Sequence, residues 1–187
     1  MKAAWPKTCV HRVVVDGITV FYRAAEGAAP VILLLHGFLP SSFQFREPIN
    51  RLADSYRVIA PDLPGFGFTE VPERRQYPYS FDALARTVAD FADVLGLTRY
   101  ALYVFDYGAP TGFRVAMARP ERVTAIVSQN GNAYEEGLGD AWAPIRRYWS
   151  DPTPANRDAI RMGLNYEGMR REYASGIGDV NRIAPEG

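Results

Sequence analysis

A chain of 187 residues, 48% hydrophobic and 13% aromatic, is long enough to bury a core and too apolar to stay disordered. Its 21 basic and 21 acidic side chains cancel, which removes the electrostatic case for nucleic acid or an anionic membrane surface as a partner. Cys9 is the sole cysteine, Met1–Val10 carries no apolar leader, and no apolar run approaches the ~20 residues of a membrane span, so a disulfide framework is excluded and the cytoplasm is the expected setting.

Arg12–Val15 and Ile18–Arg23 are β-branched and aromatic runs flanking Asp16-Gly17, a hairpin signal. Val31–Leu35 is continuously apolar and ends at His36-Gly37. A strand without polar alternation is buried on both faces, as in a parallel sheet under helices. Ser42–Ala53 reads as a helix with Phe43, Phe45, Ile49 and Leu52 near one face. Arg57–Ala60 is a short strand ending at Pro61-Asp62. Ser80–Leu95 is the clearest helix, with Ser80 as cap, Leu84, Val88, Phe91 and Leu95 at helical spacing, and Gly96 at its close. Tyr100–Phe105 is a third buried strand, Gly112–Arg119 is helical up to Pro120, and Val123–Ser128 is a fourth strand buried on both sides.

After Asn130 the character changes. Trp142, Ile145, Tyr148 and Trp149 suggest one amphipathic helix, and 155–164 and 166–174 two more, with no further strand run. The expected organisation is therefore an α/β core over 1–130, led by an antiparallel hairpin, and a helical region over 131–187.

The chemistry centres on Tyr103-Val104-Phe105-Asp106-Tyr107-Gly108. An apolar strand stops at a carboxylate, a glycine follows two places on, and a helix then begins. This is the layout of a nucleophile elbow, the sharp strand-to-helix turn that exposes one side chain. Ser is usual there. A carboxylate suits attack at saturated carbon instead, giving an alkyl-enzyme ester that water must cleave. The bland alternative is that Asp106 merely caps the helix that follows. No histidine follows His36, so the chain offers no evident base for the water step.

Three motifs in order make the chain resemble the α/β-hydrolase superfamily, in the branch of epoxide hydrolases and haloalkane dehalogenases. His36-Gly37-Phe38 resembles the oxyanion or leaving-group loop, Pro61-Asp62-Leu63-Pro64-Gly65-Phe66-Gly67 the loop after the next strand, and Phe105-Asp106-Tyr107-Gly108 an elbow with an aspartate nucleophile. The resemblance covers roughly 13–129 closely and a cap region loosely. It implies an α/β-hydrolase fold with part of a helical cap, lacking the last strands that bring a catalytic acid and a late His. It implies a small apolar electrophile as substrate and no metal or other cofactor.

Departures shape the reading. Leu39 intervenes before Pro40 in the His-Gly loop. Phe38 and Tyr107 replace the Asn and Trp with which dehalogenases hold halide, and Tyr107 also replaces the Arg of fluoroacetate-type enzymes. Epoxide-hydrolase-like chemistry is therefore the first expectation, a dehalogenase the second, and a non-catalytic fragment or pseudoenzyme that binds an apolar ligand or a partner the third. Without the late acid and base, the chain is expected to form the ester but not to turn over.

The resemblance makes Asp106 the nucleophile, with the helix start behind it favouring its negative charge. Phe38 and Tyr107 would act through backbone amides. His36 and Gly37 belong to the loop scaffold, Asp62 structures its own loop, and Gly65, Gly67, Gly108 and Gly112 grant backbone freedom or close approach. Trp142, Tyr148 and Tyr166 are cap candidates for substrate contact, Tyr148 or Tyr166 as the hydrogen-bond acid on an epoxide oxygen, with packing the simpler role. Val123–Ser128 would form a sheet edge, from which self-association is expected.

Overall fold

Asp16 and Gly17 both take left-handed backbone, φ 46° and 77°, as a two-residue hairpin turn demands. In the computed structural model, which describes residues 8–27 and 30–182, they join β1 (Thr8–Val15) to β2 (Ile18–Ala25), with Val15 opposite Ile18. Four more strands follow: β3 (Val31–Leu35), β4 (Arg57–Pro61), β5 (Tyr100–Phe105) and β6 (Val123–Gln129). The sheet order is β1-β2-β4-β3-β5-β6; β4, β3, β5 and β6 run parallel, and β2 meets β4 antiparallel.

The unbroken apolar run of β3 has a direct structural reason. Side chains alternate across a strand, so Leu33 and Leu35 enter one core and Leu34 the other. The first core contains Ile59, Leu102 and Val104 under α2 (Phe81–Val94) and α3 (Gly108–Ala118). The second contains Val58 and Ala60 under Phe45 and under Ile49 of α1 (Arg46–Leu52). Each fully buried leucine contributes roughly 1.5–3 kcal/mol, so both layers hold the sheet.

Helix α2 forms where the sequence predicts. Ser80 Oγ accepts the Ala83 N–H at 3.2 Å, and left-handed Gly96, φ 66°, ends the helix, with Leu97 N–H donating to Ala92 O at 2.8 Å. The single helix expected over 42–53 is instead a 3-10 turn, Ser42–Phe45, followed by α1. Pro48 explains the break. Its ring would clash with the Gln44 carbonyl in a continuous α-helix, so it is tolerated only in the first turn.

Strand β6 corrects another expectation. It lies at the sheet edge as expected, but Thr124–Gln129 is exposed rather than buried on both faces. Ile126 is 43% and Val127 52% exposed. An apolar composition identified the strand, but no layer among the described residues of this unit covers it.

Contacts divide the chain between Ala133 and Tyr134. The second unit carries α4 (Ala143–Ser150), α5 (Pro154–Gly163) and α6 (Tyr166–Ala174). Thr153 Oγ1 and Asn165 Oδ1 cap α5 and α6 through the N–H groups of Asn156 and Gly168. None of this unit's described residues is fully buried. No helix among the described residues is long and apolar enough to cross a membrane.

Candidate active site

Because β3 and β5 are parallel neighbours, with Leu35 opposite Val104, their carboxyl ends emerge side by side. The loops His36-Gly37-Phe38 and Asp106-Tyr107 thereby meet, although the sequence separates them widely. Asp106 has φ 48°. Asp is among the few residues that tolerate this left-handed backbone, and such strain recurs at working sites. The carboxylate does not cap α3, whose first position has no side-chain cap. It turns towards β3 instead, where Phe38 N–H donates to Asp106 Oδ1 at 2.6 Å. Gly37 is required beside it, since a Cβ there would fall 2.8 Å from that of Asp106.

Among the described hydrogen bonds, Asp106 Oδ2 accepts none. The described hydrogen bonds thus distinguish the two oxygens, one held by a backbone amide and the other not. The surroundings are aromatic. Tyr107 has Phe38 at 5.1 Å, Phe81 at 5.0 Å and Phe66 at 6.1 Å between ring centroids. Burial, and then the Asp106 charge, push the Tyr107 hydroxyl above its ordinary value of 10.0, so it stays protonated at neutral pH.

His36 is buried and engaged at both nitrogens. Nδ1 lies 2.8 Å from Gly37 O, and Nε2 accepts the Leu63 N–H at 2.9 Å. Since Leu63 N is a donor, Nε2 must be unprotonated, so Nδ1 carries the proton. Burial lowers the His36 pKa below 6.5, against the opposing pull of the Gly37 carbonyl, Asp62 and Asp106. A ring occupied in this way is scaffold and not a general base. The other histidine, His11, lies on β1 and stacks on Tyr22 at 5.0 Å.

Asp62 is also wholly buried and structures more than its own loop. It accepts Ser42 N–H at 2.7 Å, Ser42 Oγ–H at 2.5 Å and Phe68 N–H at 2.8 Å, with Arg23 Nη1 at 3.8 Å. Arg23 also donates to Ser42 Oγ at 2.6 Å. With the His36–Leu63 bond, this ties the loops after β3 and β4 together behind Phe38. Arg23 and Ser42 were not singled out in the sequence, because nothing local marks them: their partner lies on another strand. Leu39 was noted only as an insertion, yet it takes φ 71° immediately before Pro40.

The structure therefore brings together His36, Gly37, Phe38, Asp106 and Tyr107. Trp142, Tyr148 and Tyr166 belong to the second unit. There Trp142 and Trp149 lie 6.0 Å apart, Tyr148 is half-buried, and Tyr166 is 76% exposed, so core packing does not account for Tyr166.

A family model described as the alpha/beta hydrolase fold matches residues 30–177. The chain is 53% identical over 149 residues to an uncharacterized hydrolase of Saccharomyces cerevisiae, covering 76% of this chain and 51% of that protein. It is 34% identical over 166 residues to haloalkane dehalogenase 2 of Mycobacterium tuberculosis, covering 87% and 50%. The crystal structure of an epoxide hydrolase from Vigna radiata superposes with a TM-score of 0.60 at 34% identity, over 65% of this chain and 39% of that one. The chain thus spans about half the length of the curated relatives it matches. With its parallel strands, its elbow and a match over most of its length, it belongs to the alpha/beta hydrolase fold family.

Proposed function

We propose that Asp106 is the nucleophile of an epoxide-hydrolase-like reaction. The observation that carries this reading is the Phe38 amide on Asp106 Oδ1 at the end of a strained elbow. Oδ2 attacks a ring carbon of an oxirane. The new C–O bond forms as the oxirane C–O bond breaks, the electron pair passes to the oxirane oxygen, and a solvent proton completes a hydroxyalkyl ester. In that ester Oδ1 is the acyl oxygen. When water later adds, negative charge develops on Oδ1, where the Phe38 N–H already points.

Hydrolysis of the ester needs a base. His36 is occupied at both nitrogens, and His11 lies on the hairpin. Loss of a general base typically slows such a step by ~10²–10⁴. The 187-residue chain is therefore proposed to accumulate the ester.

The identity to a haloalkane dehalogenase supports a second reading, in which an alkyl halide reacts at the same oxygen and halide leaves. The chain's Phe38 and Tyr107 favour the epoxide.

The test is intact-mass and peptide-mapping analysis after incubation with a terminal epoxide, and separately with an alkyl bromide. One adduct, on Asp106, is expected with the epoxide. No adduct with either reagent, or adducts spread over other carboxylates, defeats the nucleophile assignment. Labelling by the bromide alone selects the second reading.

A further inference from the structure

A cleft of about 350 Å³ opens beside the elbow, lined by Pro64, Gly65, Phe66, Tyr79, Leu84 and Tyr107. Its lining reaches the elbow at Tyr107, the residue after Asp106, whose ring centroid lies 5.1 Å from that of Phe38. No charged side chain lines it. The larger groove between α2 and α3, about 520 Å³, is of another kind: Asp82, Arg86, Asp90, Arg114 and Arg119 line it, and it holds none of the motif residues.

Tyr79 is the unusual member. Its φ of 42° is left-handed, a conformation that a bulky L-residue rarely adopts. Burial does not explain the strain, because Tyr79 is 60% exposed. The ring is nevertheless held in place. Tyr77 meets it edge-on at 5.1 Å, and the Tyr77 hydroxyl is 2.9 Å from Thr87 Oγ1 of α2. Gly65 lets the ring approach from the other side, since a Cβ there would fall 3.0 Å from Tyr79 Cε1. A strained, exposed, anchored aromatic at the wall of a cleft points to use of the ring.

We propose that this cleft is a lateral pocket for a planar apolar substituent, an aryl ring, carried by the electrophile that Asp106 attacks, and that Tyr79 is its specificity-determining wall. The inference rests on the nucleophile assignment above. The rings of Phe66, Tyr79 and Tyr107 offer faces and edges for offset or edge-on packing, which favours an aromatic guest beyond the area it buries. Size permits it, because a cavity of about 150 Å³ is enough for benzene. The uncharged lining gives no preference to an ionic substituent.

The experiment compares benzyloxirane with 1,2-epoxynonane, which match in carbon count and separate the substituent from the oxirane by a methylene. Adduct formation at Asp106 is followed by mass in the unaltered chain and in Tyr79→Phe, Tyr79→Gly and Tyr79→Asn. Gly and Asn both accept the left-handed backbone, so either one suffices if the other does not fold. The aryl epoxide is expected to label about tenfold faster, the scale of one well-fitted apolar group. Tyr79→Phe should keep the preference. Tyr79→Gly and Tyr79→Asn should reduce it to within about twofold, the aryl rate falling by more than the alkyl rate.

Equal rates in the unaltered chain, or a preference that survives loss of the ring, overturn the pocket. If neither epoxide labels Asp106, the nucleophile assignment fails on its own, and the pocket is read by amide chemical shifts on titration with benzyl alcohol. Shifts around Phe66 and Tyr107 that vanish in Tyr79→Gly uphold it; no shifts there overturn it.

Discussion

Phe38 and Asp106 stand 68 residues apart in the chain and are joined by a 2.6 Å hydrogen bond from the amide of one to the carboxylate of the other. The bond exists because the sheet places β3 against β5, and it gives the two carboxylate oxygens different tasks. An adjoining amide holds Oδ1, and Oδ2 is the oxygen to which the proposed function assigns the attack.

Asp106→Asn should therefore abolish the adduct while leaving the fold intact. Asn keeps an oxygen for the Phe38 amide and accepts left-handed backbone, so stability is expected to change by less than about 0.5 kcal/mol. Mass spectrometry and a urea titration check the two halves of this statement.

His36 makes stability depend on pH in a defined sense. Its native pKa lies below 6.5 because burial disfavours the cation. Between 6.5 and that lower value the unfolded chain binds more protons than the native one. This contribution is therefore complete above pH 6.5 and is lost as pH falls through the native pKa. His36→Gln, which keeps an acceptor for the Leu63 N–H, should lower stability at neutral pH and remove this part of the acid slope. Urea midpoints measured from pH 8 to pH 5 in both proteins decide it.

Leu39, 45% exposed at φ 71°, gains little from burial and carries the cost of a left-handed backbone. Leu39→Gly should raise stability by about 1 kcal/mol, less than the full relief because glycine is freer when unfolded. A thermal melt that falls by several degrees would show that the leucine side chain holds the loop.

Asp62→Ala removes the acceptor for two backbone amides and a hydroxyl and leaves Arg23 half-enclosed without its carboxylate. Breaking a buried charged pair typically costs about 3–5 kcal/mol, and a loss of this size is expected in denaturant titrations. Amide exchange should rise around Ser42 and Phe68 before it rises in α2.

The outer edge of β6 lacks charge, proline and cover among the described residues of its unit. The 187-residue chain is expected to self-associate along it. Val127→Lys, which places a charge on this strand, should shift sedimentation towards monomer.

Much of this was legible beforehand for physical reasons. The Asp16-Gly17 turn, the run Val31–Leu35 and the stripe on α2 each express a local rule in a few residues. The elbow is legible too, since strand, carboxylate and small residue are contiguous. What escaped the sequence depends on pairing over distance. Arg23 and Ser42 acquire their role only once Asp62 arrives from β4. Tyr79 is ordinary in the sequence and unusual only in its backbone angle. The edge position of β6 was expected, but its apolar composition reads as that of a strand covered on both faces, and its exposure follows from neighbours that composition does not encode.

The sheet order also bears on when the site comes into being during folding. The hairpin β1-β2 pairs adjacent residues, whereas β3 pairs with β5 across a stretch of chain that contains β4 and α2, and such non-local pairing is slow. Until that closure the Phe38 amide has no carboxylate to bind. Its hydrogen exchange during refolding would thus act as a clock for the site, set by a long-range contact and not by the first turn.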